Sequence, residues 1–134
     1  MSTLWMRRST AALVTTIFFA AVSSGAFAEI GDYEFRLVKS EMKKGNAEVA
    51  VRLVNKRSGK PVPDAVIFAK RIDMAPDGME MMASPIEQLP SAEPGVYRFK
   101  TNLSMQGRWQ LSLGAKVQGE DGSVESKLVV KALP

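Results

Sequence analysis

The run "GRWQLSLGAKVQGEDGSVESKLVVKA" (107–132) decides how this chain folds. Trp109, Leu111 and Leu113 alternate with Arg108, Gln110 and Ser112, the period-two pattern of a strand with one face against a core. "GEDGS" (119–123) is polar and carries two glycines, which suits a hairpin turn. "VESKLVVKA" (124–132) then resumes as a second strand. A two-stranded ribbon is not stable alone, so further strands must cover its apolar side.

Those strands are found by working outward. "PGVYRFKTNL" (94–103) puts Val96 on one face, and Tyr97 and Phe99 on the other. "SPIEQLP" (84–90) reads as a brief edge strand, because Pro85 and Pro90 bracket it and proline is tolerated mainly at edges. "AVIFAKRI" (65–72) is apolar at its start and reads as a central strand. "AEVAVRLVN" (47–55) groups Ala47, Val49, Val51 and Leu53, and "YEFRLV" (33–38) groups Tyr33, Phe35 and Leu37. "EMKKGN" (41–46) reads as a turn, and "KRSGKPVPD" (56–64) breaks the pattern with Gly59, Pro61 and Pro63. About seven short strands, with no amphipathic helix after residue 28, predict an all-β chain: a single immunoglobulin-like β-sandwich over 29–134. The Cys…Trp…Cys signature of antibody domains is missing, since the chain has no cysteine, so the expectation concerns architecture alone.

Residues 1–28 read as a secretory signal peptide. Arg7 and Arg8 form a basic start, 11–22 is strongly apolar, and Ala26-Phe27-Ala28 is a small-x-small exit. An uncleaved anchor is the alternative, because the uncharged stretch to Ala28 approaches the ~20 residues of a membrane span. Cleavage would leave 106 residues, enough for one small domain. The expected location is the periplasm, or the inner membrane if the segment stays. The only membrane contact expected is through that segment. The formal net charge of +4 includes both arginines of the segment, so the remainder carries +2 and announces no nucleic-acid partner.

The residue inventory removes whole classes of chemistry. Without histidine or cysteine there is no Ser–His or Cys–His pair, no cysteine nucleophile and no zinc site built from those ligands. Asp73, Asp77 and Glu80 sit among Pro and Gly and read as solvated turn residues rather than a catalytic carboxylate pair. Their spacing does not match an EF-hand. The chain is not expected to be an enzyme or to hold an organic cofactor.

What stands out is sulfur. "RIDMAPDGMEMMASPIE" (71–87) holds Met74, Met79, Met81 and Met82, and Met105 precedes the Trp109 strand. Thioethers are neutral, soft donors suited to Cu(I), with Ag(I) as its mimic. They also fill cores and make adaptable docking surfaces. Met74 and Met105 fit either core or ligand. Met79, Met81 and Met82, in a Gly/Pro loop, fit a metal site or a docking surface. Trp109 alternates with Leu111 and Leu113 as a core stripe does, and its indole would also suit a cation–π contact beside a soft ion. The candidate metal site is therefore Met74, Met79, Met81, Met82, Met105 and Trp109.

"GKPVPDAVIFAKRIDMAPDGMEMM" (59–82) and "PGVYRFKTNLSMQGRWQLSLGAKVQGE" (94–120) together resemble the FixH-like/YtkA-like family of small exported or membrane-anchored β-sandwich proteins. The resemblance covers roughly 33–132. It implies a periplasmic accessory to copper or silver efflux, or to copper homeostasis, whose partner is a membrane efflux or copper-transport complex. Met74, Met79, Met81, Met82 and Met105, with Trp109 beside them, match the methionine motifs. The lack of histidine departs from many copper-handling exported proteins and points to Cu(I) over Cu(II). The second reading is a metal-free β-sandwich module that docks on a membrane transporter or envelope complex through its Met-rich loop.

Overall fold

A computed structural model describes residues 30–134; the signal segment expected at 1–28 lies outside them. Nine strands follow a short 3-10 turn at Ile30–Asp32: β1 (Tyr33–Leu37), β2 (Glu41–Lys43), β3 (Gly45–Asn55), β4 (Val66–Met74), β5 (Met79–Ser84), β6 (Ile86–Leu89), β7 (Val96–Leu103), β8 (Gly107–Lys116) and β9 (Val124–Leu133). The 107–132 run folds as its pattern predicts. β8 and β9 pair antiparallel, with Trp109 opposite Val130 and Leu111 opposite Leu128.

The strands form two sheets, ordered β1-β3-β7-β6 and β2-β9-β8-β4-β5. The N-terminal strand is divided between them: β1 pairs antiparallel with β3, and β2 pairs parallel with β9. This is immunoglobulin-like order, four strands packed on a sheet extended by one extra edge strand. Phe35, Val49, Val51, Leu53, Tyr97 and Phe99 from one sheet meet Ile72, Met74, Trp109, Leu111 and Val130 from the other in one core. Each large side chain buried there contributes roughly 1.5–3 kcal/mol.

Two strands had no sequence signal. β2 lies inside "EMKKGN", where Met42 is the single apolar residue, and each of its residues pairs with one on β9 ninety positions away. β5 falls in the stretch that reads as a Met-rich loop: "MEMMAS" does not alternate, and in the structure all but Ser84 are exposed. "SPIEQLP" supplies β6, which does lie at the edge of the four-stranded sheet.

β4 lies inside its sheet, between β8 and β5, as its composition suggested, but β5 covers only its far end. Beyond Ile72, Asp73 and Met74 it has no partner on β5, so its apolar start lies at an open side of the sheet. Val66 and Phe68 are 62% and 56% exposed there. The Phe68 ring covers Gly114 on β8, where an added Cβ would come within 3.1 Å of it.

Candidate functional site

The β4–β5 connection is a rigid turn. Ala75–Asp77 forms one 3-10 turn with proline near its start, and Gly78 follows at φ 76°, a left-handed position that glycine adopts without strain. Asp73 is buried, contrary to the solvated role its Pro/Gly surroundings suggested. One of its oxygens accepts from Arg71 Nε at 2.7 Å and the other from the Ala75 N–H at 2.9 Å, so its charge is paired and it fixes the start of the turn. Asp77 reaches outward to β8, accepting from both the N–H and the Nε of Arg108 at 2.8 Å each. The Pro76 carbonyl accepts a third bond from the same arginine, from its Nη2 at 2.9 Å. The Arg108 N–H, and then its guanidinium, hold the Asp77 carboxyl below the usual carboxylate range.

β5 opens with a bulge. Its pairing with β4 jumps from Asp73↔Ala83 to Met74↔Met79, so residues 80–82 have no partner on β4. The Glu80 carbonyl is held by Arg71 at 3.0 Å. β5 is the outermost strand of its sheet, and among the described residues no strand covers the bulge from the other side. Met81 is consequently 94% exposed.

The second methionine segment is anchored from below. Trp109 is fully buried, and its indole Nε1–H donates to the Met105 carbonyl at 3.0 Å. Gly107, at φ 142°, lies between Met74 and Asp77. A Cβ there would come within 2.5 Å of the Met74 methyl and 2.7 Å of an Asp77 oxygen. The Met74 side chain thus closes against the start of β8, two residues from Met105.

The topology brings a further methionine to the same end. Met42 pairs with Ala132, and Ala132 pairs with Gly107 on its other side. Met42 is half-buried and packs against the core. Sequence reasoning did not include it in the site, because its proximity depends on the parallel β2–β9 pairing. The only local sign was one thioether in an otherwise polar turn.

All six methionines among the described residues therefore lie toward one end of the sandwich, drawn from three separate stretches of chain. They are graded in depth. Met74 is fully buried; Met42 is half-buried; Met79, Met82 and Met105 are 37%, 39% and 38% exposed; Met81 stands almost free. Trp109 is a core residue that fixes the Met105 backbone and presents no face to solvent. Among the described residues no group of three or more His, Cys, Asp or Glu side chains is placed to hold a metal ion. Thioethers gather at this end beside the arginine-paired carboxylates of Asp73 and Asp77.

A β-sandwich with a methionine-bearing rim is the class that fold and site define. Residues 27–114 match the YtkA-like family, and the chain belongs to that family. A solved structure described as the ZirS C-terminal domain is similar at 12% identity and a TM-score of 0.46, covering 95% of this chain and 85% of that one. Comparison with curated proteins found no match.

Proposed function

We propose that this chain is an exported carrier for a soft monovalent ion, Cu(I) or Ag(I), which it takes up at the methionine end and passes to a copper-efflux or copper-transport complex in the cell envelope. The observation that carries this reading is the gathering of six thioethers from three stretches of chain at one end of the sandwich. Hydrophobic packing accounts for Met74 and half of Met42. It does not account for four methionines with substantial solvent exposure on one rim. Met79, Met82 and Met105, partly sheltered yet reachable, are the proposed ligands, with Met81 as the outermost donor. Neutral sulfur ligands suit an ion that must be released again, and protons do not compete for them near neutral pH.

The test is anaerobic titration of Cu(I), and separately of Ag(I), into the protein and into a variant with Met79, Met82 and Met105 changed to Leu. Stoichiometric binding lost in the variant supports the assignment. Binding that survives all three substitutions removes these ligands, and no binding by the unaltered chain removes the function.

The exposure of Met81 on an edge strand favours a second reading, in which the same rim docks on a membrane transporter or envelope complex without metal. Leucine keeps apolar bulk, so under that reading the triple variant retains capture of the transporter with and without copper.

A further inference from the structure

The six thioethers differ far more in access than in chemistry, and this separates them as targets for oxidation. Susceptibility of methionine to oxygen transfer follows exposure of the sulfur. Met81 rides on the bulge at 80–82, on the outermost strand, and is 94% exposed. Met79, Met82 and Met105 show less than half of that, and Met74 shows none. The Met74 methyl is stopped against Gly107, which leaves an oxidant no approach while the sandwich is closed.

We propose that Met81 is a reversible sulfoxidation site that governs soft-ion capture at this rim. The capture part of the inference rests on the soft-metal reading above; the order of oxidation does not. The oxidant is a peroxide. A lone pair of the Met81 sulfur attacks one peroxide oxygen, and the S–O bond forms as the O–O bond breaks. The proton on the transferred oxygen passes to the departing hydroxide, so one sulfoxide and one water result. Sulfur is oxidised by two electrons and the peroxide is reduced by two. A methionine sulfoxide reductase reverses the change with a dithiol, which becomes a disulfide as the oxygen leaves in water.

The modified side chain presents a polar, hard oxygen where a soft sulfur stood, and soft ions lose a donor. Because the bulge has no strand partner on β4 and faces solvent, the added oxygen displaces no core group. Oxidation at Met81 changes the rim and leaves the fold intact. Oxygen on Met74 would instead require the end of the sandwich to open.

The test has two arms on the full chain. Equimolar hydrogen peroxide is added, and tandem mass spectrometry of peptides locates the oxygen. Met81 sulfoxide should lead Met79, Met82 and Met105 by at least about threefold, with Met74 unmodified until the protein is unfolded. Ag(I), which drives no redox chemistry with peroxide, is then titrated into reduced, oxidised and reductase-treated protein. Capture should weaken about tenfold on oxidation and return after reductase treatment. Met81→Leu should weaken capture to a similar degree, and a brief peroxide exposure that mass spectrometry shows to leave Met79, Met82 and Met105 unoxidised should weaken it no further. If Met74 or another methionine takes oxygen first, or if Ag(I) binds equally before and after Met81 is oxidised, this inference falls and the carrier reading stands. If the reduced chain takes up no Ag(I), both fall.

Discussion

Asp77 accepts two hydrogen bonds from Arg108, one from its backbone N–H and one from its Nε, each at 2.8 Å. This joins the turn after β4 to the first residues of β8, and so joins the Met74–Met82 segment to the Met105 segment. Arg108 lowers the Asp77 pKa, so the sign of the pH effect follows. The contribution is complete above the carboxylate's unfolded value and is lost as pH falls through the lower folded value. Asp77→Asn should lower the denaturant midpoint at neutral pH and flatten the acid limb of the stability curve below about pH 4. Urea melts of both proteins across that range check it. An unchanged acid limb would remove Asp77 from the titration.

Gly107→Ala should be costly for two reasons. The residue holds φ 142°, where an L side chain is strained, and its Cβ would collide with the Met74 methyl and an Asp77 oxygen. A loss of about 2–4 kcal/mol is expected from strain and overpacking together. Guanidinium melts measure it. Combined with Met74→Ala, which removes the obstructing methyl, the two losses should sum to more than the double variant shows.

Trp109→Phe keeps an aromatic ring in the core but removes the donor to the Met105 carbonyl. About 1–3 kcal/mol should be lost. Freed of that anchor, the turn between β7 and β8 should exchange its amide hydrogens faster, whereas the β1–β3 ladder should not. Hydrogen exchange resolved by segment reads the difference.

Tyr97 fastens the opposite end. Its hydroxyl donates to the Val62 carbonyl at 2.7 Å and accepts from the Ala65 N–H at 2.9 Å, holding the long β3–β4 connection against β7. Tyr97→Phe should cost about 1–3 kcal/mol by leaving both groups unpaired. Burial raises the Tyr97 pKa, so its contribution is whole below the unfolded value of about 10 and is lost as pH rises through the folded one. Alkaline melts should therefore be steeper in pH for the unaltered protein than for the phenylalanine variant.

The sequence was most legible where a strand buries one face. Trp109, Leu111 and Leu113, or Val49, Val51 and Leu53, announce both the strand and its inward side, because period two is imposed by the pleat itself. The same logic placed β6 at an edge through its flanking prolines. It was incomplete at β4, which lies inside its sheet as expected but whose apolar start β5 leaves uncovered, with Val66 and Phe68 exposed. Asp73 escaped for a related reason. Its neighbours look like a solvated turn, and only Arg71 and the Ala75 N–H make its burial affordable.

The candidate site divides the same way. That thioethers are the unusual donors, and that histidine and cysteine chemistry is excluded, is written in the residue inventory alone. Which methionines share an end of the molecule, and which face solvent, is not. Met42 joins through a parallel strand pairing, Met81 is lifted out by a bulge, and Trp109 turns inward to hold a carbonyl. Strand identity depends on alternation along a few neighbouring residues, so the chain states it locally. Proximity and exposure depend on which distant segments pair and in what register, and only the closed sandwich decides that.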